Sequence, residues 1–374
     1  MISVAKPRIT LRDMASANRA LLMNEISGTS RQSIPIFEDK FAEKIGMHFG
    51  IATNSGTSAI FATLSALSVG PGTRVAVSSY TNMASIFPII QLGGEAIPID
   101  VDPQTYNMDP QDLERAFKEG VDFVLVVHIF GHPADMVKIL ELSNKYGVKV
   151  IEDCAEAHGA TLNGRKVGTF GIASCFSFYA NKLITTGEGG MVLTNDKRLQ
   201  EDIRSICSLG YGKQDKFLHE SMGYNFRMSN LLAAIGVQQI RLLDSNITKK
   251  NAIAKQYKRL LGDEPKVILP SVKENCLSTF WVYAIRVKNF RLIQTKDLIR
   301  EMRLKGIECR EGFVPFTKQN NVIMKYGLQP RCNPQVEEIY ESILYLPSGP
   351  RIKKSQIAKV ANTLRECISK LKVS

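Results

Sequence analysis

The chain has 374 residues, of which 44% are hydrophobic and 22% charged, with 27 glycines and 15 prolines. These proportions are those of folded globular proteins and exclude disordered, collagen-like and coiled-coil chains. The formal net charge of +12 is unevenly placed: residues 1–240 carry 22 Lys+Arg against 24 Asp+Glu, and residues 241–374 carry 26 against 12.

At about 150 residues per domain, the length predicts two domains, here divided as 1–240 and 241–374. No apolar run reaches the ~20 residues that span a bilayer. The opening 1–22 is interrupted by Lys6, Arg8, Arg12 and Arg19 and has no signal-peptide core, so a soluble, cytoplasmic protein without a membrane partner is expected. Seven cysteines (Cys154, Cys175, Cys207, Cys276, Cys309, Cys332 and Cys367) form an odd set without paired spacing, which argues against a disulfide framework. No C-x-x-C or H-x-x-H spacing suggests zinc, and no metal is expected. The basic C-terminal third suits nucleic acid, an acidic surface or a small polyanion such as a nucleotide diphosphate, or is simply a solvated surface. No RNP, zinc-finger or helix-turn-helix pattern accompanies it, which disfavours nucleic acid.

In chain order, short apolar runs predict strands at 50–53, 74–79, 95–101, 122–129, 149–154, 174–179 and 191–194. Several are continuously apolar, as strands covered on both faces are. Helices are predicted between the early ones at 57–67, 110–118 and 134–146, the last with Gly147 as its stop. Repeated β-α-β units imply an α/β fold with a mainly parallel sheet between helices. After Ser229 a long helix runs to Leu261, and Gly262, Pro265 and Pro270 break it. A smaller α+β unit follows, with a strand at 282–287, a helix at 295–305 and a closing helix at 355–371 that Ser355 would cap.

Three places carry chemistry. The stretch 176–195, FSFYANKLITTGEGGMVLTN, ends a strand in Ser177, places Lys182 in a turn of small and apolar residues, and continues through Gly187, Gly189 and Gly190 into another strand. Desolvation of that kind lowers a lysine's pKa and frees its amine for Schiff-base chemistry, although a lysine after a strand is usually a surface residue. Upstream, VIEDCAEAHGA at 150–160 ends a buried strand in Glu152 and Asp153, at the edge where doubly wound sheets bind ligands. A carboxylate there either pairs with a cationic ring nitrogen or caps a helix. NSGTSAI at 54–60 opens a helix with Thr57 and Ser58, a ready phosphate cradle. Cradle, carboxylate and lysine are the three contacts that pyridoxal 5′-phosphate needs, to its phosphate, ring nitrogen and aldehyde.

With these residues the chain resembles the DegT/DnrJ/EryC1/StrS sugar aminotransferases of fold type I, from VAKPRIT near the start to LPSGP at 346–350. SFYANKLITTGEGG and GYNFRMSNLLAAIG (223–236) are the most specific blocks, and EDCAEA, ITTGEGGMV and NFRMSN are closest to the perosamine synthase branch. The resemblance implies a large cofactor-binding domain and a smaller C-terminal one, pyridoxal phosphate as cofactor, L-glutamate as amino donor, and a nucleotide-linked keto-deoxy sugar as acceptor, with GDP-4-keto-6-deoxymannose favoured. Another nucleotide keto sugar, or a non-catalytic regulatory relative, is the alternative. It matches Lys182 to the lysine that holds the cofactor and moves protons, and Asp153 to the partner of the ring nitrogen. Glu156 matches a position near the 3-hydroxyl, and Thr57, Ser58 and Ser177 match phosphate-binding positions. It also implies a homodimer, in which Asn225 reaches the phosphate of the neighbouring subunit and Arg227 faces that neighbour's substrate.

His128 and His158 fall in family blocks and read as structural. Asn82 stands where the family usually stacks an aromatic ring on the cofactor, with Tyr80 near enough in sequence to compensate. REGFVPFTKQ (310–319) matches a substrate-side loop, which makes Arg310 and Thr317 substrate candidates, with threonine where relatives often have histidine. Dehydratases of the same family carry histidine in place of the lysine, and Lys182 argues against that activity.

Overall fold

A computed structural model describes residues 1–30, 32–211, 217–326, 328 and 333–371 of the chain. Cys332 lies outside the described residues; the other six cysteines are free thiols.

The sequence pattern predicts no element before residue 50, yet two helices stand there, α1 (Leu11–Leu22) and α2 (Ser33–Ile45). Thr10 and Asp13 form a capping box on α1, a signal that could have found it. The seven predicted strands are all present: β1 (Phe49–Thr53), β2 (Arg74–Ser78), β3 (Glu95–Ile99), β4 (Phe123–Val127), β5 (Lys149–Asp153), then, after the two-residue strands β6 (Thr161–Leu162) and β7 (Arg165–Lys166), β8 (Ala173–Ser177) and β9 (Gly190–Thr194). Between them run α3 (Gly56–Ala66), the short α4 (Phe87–Gln91), α5 (Pro110–Lys118) and α6 (Met136–Tyr146). Asp109 and Asp135 cap the last two, and Gly147 ends α6 in the left-handed region at φ 72°, where a side chain would be strained.

The main sheet has the order β1-β9-β8-β5-β4-β2-β3. Pairs from β3 through β8 are parallel, and β9 runs antiparallel between β8 and β1. This is the expected mixed, mainly parallel sheet. Alternate residues of its strands feed opposite faces. Val75, Val77, Leu125, Ile151 and Val192 pack beneath α3 and α7 (Lys197–Cys207). Ala76, Val124, Val126 and Val150 pack beneath α5 and α6, while Phe176, Met191 and Leu193 meet α2 and α8 (Asn230–Gln239).

The predicted long helix is divided: α8 gives way to a 3₁₀ turn at Ile240–Leu242 before α9 (Leu243–Leu261). A second, antiparallel sheet has the order β10 (Val267–Ile268), β12 (Tyr283–Val287), β14 (Ile343–Leu346), β13 (Arg310–Glu311). Its buried face packs on α9, α10 (Leu292–Leu304) and α13 (Lys354–Lys370) through Tyr257, Leu298 and Leu364. The closing helix begins one residue earlier than predicted. Ser355 lies inside its first turn, and Gln356 takes the N–H of Lys353 at the cap. The strand β11 (Cys276–Leu277) pairs with β6, and the helices α11 (Asn320–Tyr326) and α12 (Pro334–Ser342) complete the described elements. Among the described residues no helix is long and apolar enough to cross a membrane.

Candidate active site

Register brings the chemistry to one sheet edge. Thr53 and Ser177 both pair with Gly190, and Asp153 pairs with Cys175, so β1, β5 and β8 end side by side. Ser55 caps α3 by taking the N–H of Ser58 at 3.1 Å, which points the remaining free N–H groups of that helix at the same edge. Only glycine fits at Gly56, because a Cβ there would stand 2.8 Å from the Cβ of Ser177. The helix start and Ser177 thus form one surface.

Lys182 rides on a loop tied to itself. Its N–H donates to the Tyr179 carbonyl at 2.9 Å, and Phe178 N–H donates to Gly189 O at 2.8 Å. Thr185 Oγ1 donates to Phe178 O at 2.7 Å and accepts the Gly187 N–H at 2.9 Å. Gly189 sits at φ 150°, where a Cβ would overlap Met228 and Thr186, and a Cβ at Gly190 would meet the Ser55 backbone, so these two serve close packing. Gly187, with open space around it, serves the turn through its φ of 90°. The whole arrangement closes around a cavity of about 260 Å³, lined among others by Thr57, Asp153, Glu156, Ser177, Lys182 and Trp281. A larger cavity of about 790 Å³ lies around His132 and Lys273 and contains none of these groups; convergent polar chemistry marks the smaller one.

The electrostatics centre on the amine. Lys182 is half-buried, and burial pushes its amine below the ordinary lysine range, while Glu156 and then Asp153 pull it back. No acidic residue is near Lys182 in sequence, but two face it in space. Burial pushes Glu156 up to about 7, against the pull of Lys182 and of the Phe130 N–H, which donates to its Oε2 at 2.7 Å. Asp153 is buried, accepting Ser85 Oγ at 2.7 Å on one oxygen and the Ala155 N–H at 3.0 Å on the other. It therefore caps the turn after β5 and still faces the cavity, which joins the two roles that the sequence leaves open.

Trp281, which no sequence motif marks, completes the wall. The amine of Lys182 lies 3.9 Å from the centroid of its ring. Its Nε1 donates to Asn181 O at 3.0 Å, and its backbone N–H donates to Phe130 O at 2.9 Å. Phe130 is a bulky residue at φ 55°, an unfavourable conformation held by Glu156 on its N–H and Trp281 on its carbonyl. Trp281 enters from a segment 99 residues beyond Lys182, and its being the one tryptophan of the chain is the only sequence signal that could have singled it out.

The remaining candidates are dispersed. Asn82 reaches the cavity but is exposed, and its Oδ1 accepts the Ala84 N–H at 2.9 Å, capping a 3₁₀ turn. Tyr80 does not stand in for the missing aromatic ring: it is fully buried in a cluster with Tyr106, Phe130 and Phe313. Ser58 is outside the cavity lining, its hydroxyl 2.9 Å from that of Ser55. Asn225, Arg227, Arg310 and Thr317 also lie off that lining. Asn225 is exposed, with its carbonyl accepting from the Asn54 amide; Arg227 bridges to Thr53. Arg310 is exposed and paired with Glu308, and the buried Oγ1 of Thr317 has no hydrogen-bond partner.

His128, Glu152 and Cys154 bring three potential ligand atoms within 4.8 Å of one another. Their valences are taken: Glu152 accepts the N–H groups of Gly168, Phe170 and Gly171 and stands 3.1 Å from His128 Nε2, while His128 Nδ1 accepts from Ala134. Burial also holds the Cys154 thiol well above its usual range. The group is a hydrogen-bonded knot rather than a metal centre. His158 is enclosed by Phe41, Phe176 and Phe178, and burial drives it down to about 3, so it is a neutral core residue.

A lysine amine, a sheet-edge carboxylate and a glycine-opened helix start around one cavity fit a phosphorylated pyridine aldehyde in the chemistry of their donors. The comparisons agree. The DegT/DnrJ/EryC1/StrS aminotransferase family matches residues 12–365. The GDP-perosamine synthase of Escherichia coli O157:H7 is 33% identical over 368 residues, covering 98% of this chain and 99% of that protein. A UDP-N-acetyl-3-dehydro-alpha-D-glucosamine 3-aminotransferase of Acidithiobacillus ferrooxidans is 31% identical over 333 residues, covering 88% and 87%. Among solved structures, DesV of S. venezuelae in complex with a ketimine intermediate superposes with a TM-score of 0.88 at 28% identity, covering 96% of this chain and 95% of that one. The chain belongs to the DegT/DnrJ/EryC1/StrS family and is a pyridoxal phosphate-dependent sugar aminotransferase.

Proposed function

We propose that the protein moves the amino group of L-glutamate to the keto carbon of a nucleotide-linked deoxy sugar, with GDP-4-keto-6-deoxymannose as acceptor. The observation that carries this reading is the amine of Lys182, shielded between the indole of Trp281 and the carboxylates of Glu156 and Asp153. Two relatives of comparable identity act on different sugar nucleotides by name, and the 98% coverage by the perosamine synthase favours the GDP-linked acceptor.

When bound, pyridoxal phosphate supplies an aldehyde for the amine and a ring that accepts electrons from the donor's Cα. In this reading Lys182 is the residue that holds the cofactor, and its amine, once released, carries the proton away from the donor and back to the product. Burial makes that amine less basic than an ordinary lysine and so favours its free form, and Asp153, fixed by Ser85, keeps the ring nitrogen charged. Glu156 lies toward the ring hydroxyl, and Thr57, Ser177 and the first N–H groups of α3 take the phosphate, with Ser58 bracing Ser55 behind them. Asn82 contributes only a turn-capping amide at the cavity rim, which leaves the aromatic contact to Trp281.

Residues 1–240 form the cofactor-binding domain in this reading, and 241–374 the smaller domain that supplies Trp281. Asn225 and Arg227 are absent from the lining of their own chain's cavity, and this supports a homodimer in which they serve the site of a second copy. Arg310 and Thr317 sit on the substrate side. The excess of cations in 241–374, with Arg227, suits a nucleotide diphosphate.

Incubation with glutamate and GDP-4-keto-6-deoxymannose is expected to release 2-oxoglutarate, and Lys182→Ala to cut turnover by on the order of 10³ or more. An active Lys182→Ala enzyme overturns the reading of the lysine; turnover confined to another nucleotide keto sugar overturns the sugar alone. Glu156→Gln removes the charge that most raises Lys182, so the pH midpoint for cofactor attachment to the stripped enzyme is expected to fall by roughly one unit. An unchanged or raised midpoint contradicts that coupling. Allowed to exchange subunits, Lys182→Ala chains and Asn225→Ala/Arg227→Ala chains, each inactive alone, are expected to recover roughly a quarter of wild-type activity, because half the dimers then hold one intact site. No recovery contradicts the shared site.

A further inference from the structure

Lys250, on α9, is a buried cation that the proposed chemistry does not use. It is 3% exposed, and its Nζ donates to Trp281 O at 3.0 Å, to Ser348 O at 2.6 Å and to Ser348 Oγ at 3.0 Å. All three acceptors are uncharged, which is a costly setting for an ammonium group unless the contacts it makes are needed. Burial pushes this amine down to about 7, in keeping with the absence of a carboxylate among those contacts.

The three acceptors join separate parts of the chain. Trp281 opens the approach to β12. Ser348 follows β14, takes the Tyr283 N–H on its Oγ at 3.2 Å, and gives its own N–H to Val4 at 2.9 Å. Lys250 therefore pins the carbonyl of Trp281 to α9 at a point where the opening segment and the second sheet also meet. Trp281 is then held at every polar atom it has: its N–H on Phe130, its carbonyl on Lys250 and its Nε1 on Asn181, the neighbour of Lys182. Its ring is left with one position, 3.9 Å from the Lys182 amine and 6.3 Å, near parallel, from the ring of Phe313.

We propose that Lys250 is a positioning residue that acts through Trp281, fixing the indole against the Lys182 amine so that the amine stays desolvated and aimed into the cavity. The inference rests on the reading of Lys182 as the reacting amine. It adds that the placement of that amine is controlled from α9, across the boundary between the two sheets. A Lys250→Met chain has the stem without the donors; the Trp281 carbonyl loses its anchor and the indole gains freedom.

Trp281 is the only tryptophan, so emission from the holoenzyme reports this one ring. Lys250→Met is expected to red-shift that emission, to make it more accessible to acrylamide, and to lower kcat by about a hundredfold, as misplacement of a reacting group does, with circular dichroism unchanged. The effect should pass through the indole: Lys250→Met/Trp281→Phe is expected to be no slower than Trp281→Phe alone, within about twofold. A folded Lys250→Met enzyme with wild-type emission, or with losses that add in the double variant, overturns the proposal. If Lys250→Met does not fold, Lys250→Arg carries the test: its retained donors are expected to keep the wild-type emission and turnover, and a folded Lys250→Arg enzyme with a wild-type kcat and a freed indole overturns it. Lys182→Ala tests the underlying reading separately, since its failure would leave the emission results standing.

Discussion

The structure depends on keeping one lysine amine out of water while two carboxylates stand near it. An ammonium in such a place is destabilised by burial, by an amount that grows with the loss of solvent. Glu156 and Asp153 offset part of that cost, and the face of an indole offsets more, a contact worth about 2 kcal/mol when desolvated. The balance leaves an amine less basic than that of an ordinary lysine. Each neighbour is in turn fixed by partners of its own. Ser85 holds Asp153, the N–H of Phe130 holds Glu156, and Asn181, Phe130 and Lys250 hold Trp281.

The sheet makes this balance possible. Parallel strands finish at one edge, and the antiparallel insertion of β9 between β8 and β1 carries the α3 start to within contact of Ser177. Helix N–H groups suited to the anionic end of a ligand and a strand-end carboxylate suited to a cationic ring thus stand on one edge, at a separation that the backbone sets. The second sheet contributes little polar chemistry to the cavity. Its part is to bring Trp281 over the amine, and the strained backbone of Phe130 is one of the points where the segment carrying Trp281 is fastened to the main-sheet side.

The seven strands of the main sheet were legible because buried parallel strands are continuous apolar runs, and the Lys182 turn because small residues and glycines cluster there. Asp153 was legible as a strand end, although only the structure shows one carboxylate capping a turn and facing the cavity together. What could not be read lies in contacts between distant segments. Glu156 is 26 residues from Lys182 in the chain, Trp281 is 99 residues away, and no local pattern links either to it. The helix cap at Lys353 rather than Ser355 turned on a side-chain amide at Gln356, a competition that serine's preference for caps did not anticipate. Tyr80, near Asn82 in sequence, lies just past the end of β2, where no strand alternation governs direction, and its ring is taken up by Tyr106, Phe130 and Phe313 from distant segments.

The most direct measurement is chemical. Reduction of the cofactor-loaded enzyme with borohydride, followed by proteolysis and mass spectrometry, should leave a phosphopyridoxyl group on the peptide that contains Lys182 and on no other lysine. A label on a different lysine, or none on a protein that retains its cofactor and its activity, would contradict the account.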